Sequence, residues 1–575
     1  MALSSDITPK ELLYRSKQGC RTCSKIHHVI TVQFLNLTGI FLNTLIKLPV
    51  PFLLAFILVS CGGSGKPAVS IPVVAQAKVC AVPRPAATLD PQTNLPYGDV
   101  QGTLSDEIAW IGSFVRLTYL WYQDLPSVGT SSYFIGASVP YVDPATNTAS
   151  TKYLSSNYMV VDAYFNSQRS ALLTASGKPK DRFHFTALTA DYQAQSAQGT
   201  QAGFGFEIAL LSATPPRQAL AAYVTPGSPA DLNGIKRGTR FLSINGVDVT
   251  NGTDLTTLNN GLYTPVAGTA YTFVVQIPDV TGTSTMTMTP VTVNLTPVMH
   301  VQTLPAPDSR VGYILYTDQI ATAESELIAA INQLKSGAGI TDLVLDLRYN
   351  GGGYLDLASE LAYMIAGSAK TAGKFFEQDS FNNKNPFGTT SAQATVPFHS
   401  TTQGFSIPSG QTLPQLNLST VYVITGPGTC SASEAIMNGL IGIGVKVVQI
   451  GATTCGKPYG FYPQDNCSTT YFAIQFSGAN YLGFSDYADG FVPGGTGSTA
   501  NNLPGCAATD DFNNELGNPA EASLATALYY MHNNGACPGP ASAMSGPAVF
   551  NRYAEPLLKR PPFRENRILG QLTPR

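Results

Sequence analysis

The chain has 575 residues, more than one ordinary hydrophobic core accommodates, so roughly two to four domains are expected. Charged residues make up only 12%, about half the usual share for a soluble domain, and the net charge is −3. No Lys/Arg stripe interleaves with aromatics, so the sequence carries no electrostatic footprint for nucleic acid, and the 44% hydrophobic content excludes disorder over most of the length.

Residues 1–61 read as a leader. Lys10, Arg15, Lys17, Arg21 and Lys25 make a basic start, and a largely apolar run follows from Val29, broken by Lys47. An apolar stretch that ends in small residues is the pattern of an export signal rather than a domain. Leu58-Val59-Ser60-Cys61 is similar to the bacterial lipoprotein signal. That resemblance implies diacylglycerol on Cys61 and a lipid anchor at the bacterial cell envelope, facing the periplasm or the exterior. The run 29–60 is also long enough for a single transmembrane anchor. The Gly/Ser/Pro-rich linker over 62–95 favours the lipid tether. Cys20, Cys23, His27 and His28 mimic a zinc site but lie in the leader with no structured frame.

Beyond Cys61 six cysteines remain: Cys80, Cys430, Cys455, Cys467, Cys506 and Cys537. An even set in an exported chain implies disulfides. Spacing does not choose among the possible pairings; the short polar excursion between Cys455 and Cys467 makes that pair the first expectation. No Cys/His spacing here suits a metal.

Residues 96–195 read as an N-terminal helical subdomain. Ile108, Trp110, Ile111, Phe114 and Val115 recur near helical spacing up to the stop at Asp124-Leu125-Pro126, and a second helix is expected over 161–173. Residues 200–298 are β-rich. Their Gly203-Phe204-Gly205-Phe206 start, short helix over 228–233 and strand into an Asn245-Gly246 turn resemble a PDZ domain. The resemblance implies capture of an extended chain end as an added strand, with Gly203, Phe204, Gly205 and Phe206 as the carboxylate loop. Residues 305–540 alternate strand and helix, which predicts a mainly parallel sheet. A polar insertion over 378–418 is expected as a surface excursion. The tail over 541–575 carries Lys559, Arg560, Arg564, Arg567 and Arg575 without a strong apolar face and is expected to be unstructured in part.

Two stretches carry the chemistry. In the first, the apolar strand that ends at Asp346-Leu347-Arg348 runs into Gly351-Gly352-Gly353 and then a helix. Glycines let N–H groups approach a ligand, and without the Lys-Ser/Thr end of a P-loop an oxyanion is the better partner than phosphate. Asp346 and Arg348 read as loop supports. In the second, Gly428-Thr429-Cys430-Ser431-Ala432-Ser433-Glu434 follows a strand and opens a helix, which exposes a nucleophile and favours developing negative charge. Ser433 and Glu434 read as structural, a helix-start hydroxyl and a first-turn carboxylate. A serine hydroxyl is inert without a base. His184, His300, His399 and His532 lack a triad-like setting; a histidine base stays open, but Lys457, after Gly456, is the sharper candidate. To act near neutral pH its amine must fall by about three units from about 10.4, within what apolar burial can do.

Ser431-Ala432-Ser433-Glu434, the later Gly456-Lys457, the Asp-Leu-Arg-x-Asn-x-Gly-Gly run from Asp346 and the PDZ-like segment upstream together resemble the C-terminal-processing, or tail-specific, serine peptidases over about residues 100–535. The resemblance implies an α/β catalytic domain with a crotonase/ClpP-like mixed sheet, an inserted PDZ domain and the helical N-terminal subdomain. It also implies Ser431 as nucleophile and Lys457 as base, with an oxyanion hole from the N–H of Ala432 plus that of Gly352 or Gly353. Substrates would be proteins or peptides, and no cofactor is implied. The family often has Gln four residues after the lysine; here Phe461 stands there, and Gln464 is the substitute candidate. The rival reading is a non-catalytic envelope binding protein on the same fold, against which Ser431 and Lys457 argue. An acyl-CoA enzyme of related fold is disfavoured by export and the PDZ-like segment.

Overall fold

The computed structural model describes residues 77–539, apart from 92, 145–146, 337–338 and 495–500, together with the backbone of a strand at Arg567–Leu569. Cys61 and the Cys20/Cys23/His27/His28 group lie outside the described residues. Among those described, no helix is long and apolar enough to cross a membrane.

Val298–Thr303 and the apolar runs of 305–540 form a six-stranded sheet in the order Val298–Thr303, Val311–Tyr316, Asp342–Asp346, Thr420–Thr425, Lys446–Gly451, Gly505–Ala507. The first pairing is antiparallel and the rest are parallel, so the sheet is mixed. Every residue of Val311–Tyr316 is buried because both faces are covered. Ile314, Leu345 and Val423 face the helices Ala323–Lys335, Leu355–Ala366 and Ala432–Gly442. Leu315, Val344 and Ile424 face Ala522–His532 on the other side. The loops 347–351, 426–431 and 452–457 leave the carboxyl ends of three adjacent parallel strands, which is where open α/β sheets form sites.

Three expectations are corrected. First, residues 96–195 are not mainly helical. Their helices are Leu104–Thr118 and Asn157–Ser167, the second starting early because Ser156 caps it at the N–H of Met159. A hairpin joins Ser138–Val142 to Ala149–Tyr153, and Phe185–Leu188 pairs with Thr469–Phe472. Trp110, Phe114 and Phe165 therefore share the core of the main sheet. Second, the insertion is not only a surface excursion: Phe375–Phe381 pairs with Thr395–Pro397 and Phe476–Ala479, burying Phe387, Val396 and Phe398.

Third, the disulfides are Cys80–Cys467, Cys430–Cys455 and Cys506–Cys537, so Cys455 does not pair with Cys467. Cys455 is held beside Cys430 because its N–H donates to the Thr429 carbonyl at 2.9 Å. Cys467 sits at a left-handed turn, φ 56°, between Gln464–Asn466 and Thr469–Phe472. Within the tail, Arg567–Leu569 pairs with Gly352–Tyr354.

The β-rich unit has its own core around Phe204, Ile208, Phe241, Ile244 and Phe273. Its main strand order is Ser284–Met288, Tyr271–Gln276, Arg240–Ile244, Gln218–Val224, Phe206–Ser212, which leaves Phe206–Ser212 at an edge. Gly203 ends a strand paired with Val291–Asn294. Gly205 turns at φ 88°, where a Cβ would meet the side chain of Ser228.

Candidate active site

The strand Thr420–Thr425 ends in a loop that Thr429 and Cys430 tie to the neighbouring glycine-rich loop. Thr429 Oγ1 donates to the Leu347 carbonyl at 2.7 Å, and the Cys430 N–H donates to the Asn350 carbonyl at 3.2 Å. The next residue, Ser431, has φ 67° and ψ −120°, a conformation sparsely populated for a residue with a Cβ. Such strain persists only where the surroundings over-determine it, and it concentrates at functional positions. Ser431 is 0% exposed, and its Oγ has no hydrogen-bond partner among the described residues. A buried hydroxyl left without a partner at a strained strand-to-helix turn is costly as structure and useful as a nucleophile.

Glu434 holds this turn. Its carboxylate accepts from the N–H of Ser431 at 2.9 Å, Thr454 Oγ1 at 2.5 Å, the N–H of Gly456 at 2.8 Å and the N–H of Lys457 at 2.8 Å. Burial pushes its carboxyl upward, and these hydrogen bonds oppose that shift. One side chain thus joins the helix start to the loop that carries Lys457. Arg182 fastens the same loop from outside, donating to the carbonyls of Cys455 at 2.6 Å and Gly456 at 3.0 Å. Gly456 turns at φ 86°, where a Cβ would strike the Ala488 carbonyl, so only glycine fits before the lysine.

Lys457 is 0% exposed. Its Nζ lies 3.6 Å from the ring centroid of Phe461 and 5.0 Å from that of Phe183. Phe461, which stands where a glutamine was anticipated, therefore touches the amine with a π face. Gln464 begins the strand Gln464–Asn466, and its amide donates to the Pro463 carbonyl at 2.9 Å.

Across from Ser431, the strand Asp342–Asp346 leads into the glycine loop. The Gly352 N–H donates to Asn350 Oδ1 at 2.9 Å, and Asn350 Nδ2 donates to the Tyr316 carbonyl at 3.0 Å. Gly353 has φ 153°, and a Cβ there would run into the Gln319 carbonyl. Ser433 Oγ donates to the Asn350 carbonyl at 3.2 Å and accepts from Gln319 Nε2 at 3.1 Å, joining the helix Ala432–Gly442 to this loop. Ala432, directly after Ser431, is the first residue of that helix.

Arg348 anchors the base of the glycine loop. It donates to Asp346 at 2.8 Å, Asp510 at 2.7 Å and Glu521 at 2.7 Å. Asp510 also takes Arg237 of the β-rich unit at 2.6 Å and the hydroxyl of Tyr349. Burial alone would raise the Asp510 carboxyl, but Arg237 and Arg348 outweigh it and hold it at about 2. Sequence reading gave Arg348 and Asp346 a supporting role; Asp510, Glu521 and Arg237 carried no local signal.

Three of the described histidines are paired with other groups. His399 pairs with Asp356 at 2.8 Å, His532 with Asp308 at 2.7 Å, and His184 Nε2 with the Phe165 carbonyl at 2.9 Å, while His300 lies on an exposed position of Val298–Thr303. Cys430, Glu434 and Cys455 are close enough together to hold an ion. Both sulfurs are joined in a disulfide, however, and Glu434 already carries four donors. An open pocket of about 560 Å³ is bordered by Trp121, Lys180, Phe381, Tyr459 and Asp486.

Residues 310–465 match the sequence model of peptidase family S41. Over 143 residues, 24% of this chain, the sequence is 34% identical to a carboxyl-terminal-processing protease of Picosynechococcus sp.. That alignment spans 32% of the relative, about a third of its length. Among solved structures, a Bacteroides fragilis NCTC 9343 protein assigned to the S41 proteases matches with TM-score 0.51 and 23% identity, over 74% of this chain and 97% of that one. The fold is thus shared with that protein. A photosystem II D1 C-terminal processing protease aligns at TM-score 0.38 and 16% identity, over 69% of this chain and 93% of its own.

Proposed function

We propose that this chain, whose residues 310–465 are of peptidase family S41, is a serine endopeptidase that cleaves exported proteins through an acyl-enzyme on Ser431. In this reading Lys457 Nζ takes the Ser431 proton as Oγ attacks the peptide carbonyl, then returns it to the leaving amine. Burial of Nζ between Phe183 and Phe461 favours the neutral amine that a base requires, although the ring faces also welcome the ammonium formed in the attack. Gln464 remains the candidate carried from the sequence for orienting that amine, and the Phe461 ring, 3.6 Å from Nζ, joins it. With the Gly352 N–H engaged by Asn350, the N–H groups of Gly353 and Ala432 are the proposed oxyanion donors.

The observation that carries this reading is the strained, buried Ser431 hydroxyl, bound through Glu434 to the loop that bears Lys457. The β-rich unit at 200–298 is proposed to act as a PDZ domain. The edge strand Phe206–Ser212 would receive a substrate's C-terminal segment, and the loop Gly203, Phe204, Gly205 and Phe206 its carboxylate. Lipidation at Cys61 and a place in the cell envelope belong to the same proposal; the three disulfides suit an oxidising compartment. The test is cleavage of casein and of peptides with unstructured C-terminal tails. Ser431→Ala should abolish both activities while leaving the melting midpoint within a few degrees of wild type. A Ser431→Ala chain that cleaves at the wild-type rate contradicts the mechanism.

A further inference from the structure

The strand Arg567–Leu569 lies parallel to Gly352–Tyr354, with Arg567 opposite Gly352, Ile568 opposite Gly353 and Leu569 opposite Tyr354. The same strand also lies against Tyr459–Gly460, just beyond Lys457, and against the helix Ala432–Gly442, which starts directly after Ser431. Three elements, one carrying the glycines 352 and 353 and two adjoining the proposed base and nucleophile, thus contact one extended segment of the same chain. Among the described residues, Gly352–Tyr354 belongs to no other sheet. Its edge is taken only by this segment and by an isolated bridge from Gln319 to Gly353. Addition of an extended backbone to a strand edge is how main-chain hydrogen bonding receives a peptide of any sequence.

We propose that the segment at 567–569 is an intramolecular substrate of the Ser431 site, a proposal that rests on the nucleophile reading above. The register sets Arg567 and Ile568 opposite the two glycines, so the carbonyl attacked belongs to one of these residues. Ser431 Oγ bonds to that carbonyl carbon while its proton passes to Lys457 Nζ. The C–N bond to the following residue breaks, and the leaving amine takes the proton from Lys457. Water then hydrolyses the ester, which restores the Ser431 hydroxyl and leaves a new carboxylate at 567 or 568. The chain thereby clears its own groove before it accepts another peptide.

The test follows the intact mass of the purified full-length chain over time at several concentrations, for wild type, Ser431→Ala and Ile568→Pro. Fluorophosphonate labelling and casein cleavage are read on the same samples. The wild-type chain should lose the residues beyond 567 or 568 at a rate independent of its concentration, and Ser431→Ala should retain them. Ile568→Pro, which cannot keep a regular strand ladder, should slow the loss at least tenfold while casein cleavage is at least as fast as in wild type. An intact tail in a wild-type chain that labels at Ser431 and cleaves casein overturns the proposal and leaves the peptidase reading standing. A rate that rises with concentration, or loss of the tail in Ser431→Ala, overturns it as well. Absence of both labelling and casein cleavage removes the nucleophile reading itself.

Discussion

On one side of Ser431, the loop 453–457 hangs from Glu434, a buried carboxylate that accepts from three backbone N–H groups and the Thr454 hydroxyl. On the other side, the glycine loop hangs from Arg348, whose charge is matched by Asp346, Asp510 and Glu521. A carboxylate satisfied by neutral donors ties its own helix start to the one loop that supplies them. A cluster of charges extends as far as its members, and here Asp510 carries it to Arg237 in the β-rich unit. The side proposed to hold the base is therefore tied by neutral hydrogen bonds and Arg182, whereas the side proposed to hold the oxyanion is linked by ion pairs to the unit proposed to capture substrate.

The sharpest way to break this contrast is Glu434→Ala. Removing the carboxylate strands several buried donors at about 1–3 kcal/mol each before relaxation. We expect a stability loss of about 3–5 kcal/mol in urea unfolding and labelling of Ser431 slowed about a hundredfold or more. Glu434→Gln, which keeps one accepting oxygen, should fall between the two. Labelling of Glu434→Ala at the wild-type rate removes the latch from the account.

Arg348→Met should cost a comparable 3–5 kcal/mol or so, because Asp346 and Glu521 would remain buried without their cation. Unlike the Glu434 variant, it should also loosen the β-rich unit, read as faster proteolysis within residues 200–298. Arg237→Ala should act on one side only. Cleavage of tailed peptides should fall about tenfold, while fluorophosphonate labelling of Ser431 stays within twofold of wild type. Equal loss in both assays would place Arg237 with the latch instead.

The smallest effect concerns a third buried carboxylate site. Glu324 accepts the N–H groups of Gln403, Gly404, Ser406 and Ile407, and Glu360 accepts that of Gln403. Burial, then the neighbouring Glu324 charge, pushes the Glu360 carboxyl up to about 9. A carboxyl raised above its unfolded value stabilises fully below about pH 4.5 and progressively less as pH rises toward 9. Glu360→Gln should leave the melting midpoint unchanged below pH 4.5 and raise it by a few degrees at pH 8. A variant that melts lower than wild type at pH 8 contradicts that sign.

The pattern of legibility has a physical basis. The strands at 311–316, 420–425 and 446–451 were readable because strands buried on both faces are continuous apolar runs. Ser431, Lys457 and the glycines at 352 and 353 were readable because their chemistry is local, a short motif at a strand end. The support was not. Glu434 looked like an ordinary first-turn carboxylate, and only the fold brings Gly456 and Lys457 to it. Arg237, Asp510 and Glu521 meet Arg348 and Tyr349 from distant parts of the chain, so no window of sequence contains the cluster. Cys467 was assigned to Cys455 by proximity in sequence, whereas Cys80 reaches it across 387 positions. The strand at 567–569 has a weak pattern of its own, and what defines it is the glycine edge it joins.

The central claim, a serine activated by a lysine held on the Glu434 latch, is tested most directly by the pH dependence of fluorophosphonate labelling at Ser431, with Lys457→Ala alongside. The folded wild-type chain should form a Ser431 adduct at a rate that rises with pH through an apparent pKa below that of an exposed lysine. The same rise should be lost, and the rate lowered at least a hundredfold, in Lys457→Ala. No adduct on Ser431 in the folded wild type, or an equal rate and pH profile in Lys457→Ala, contradicts it.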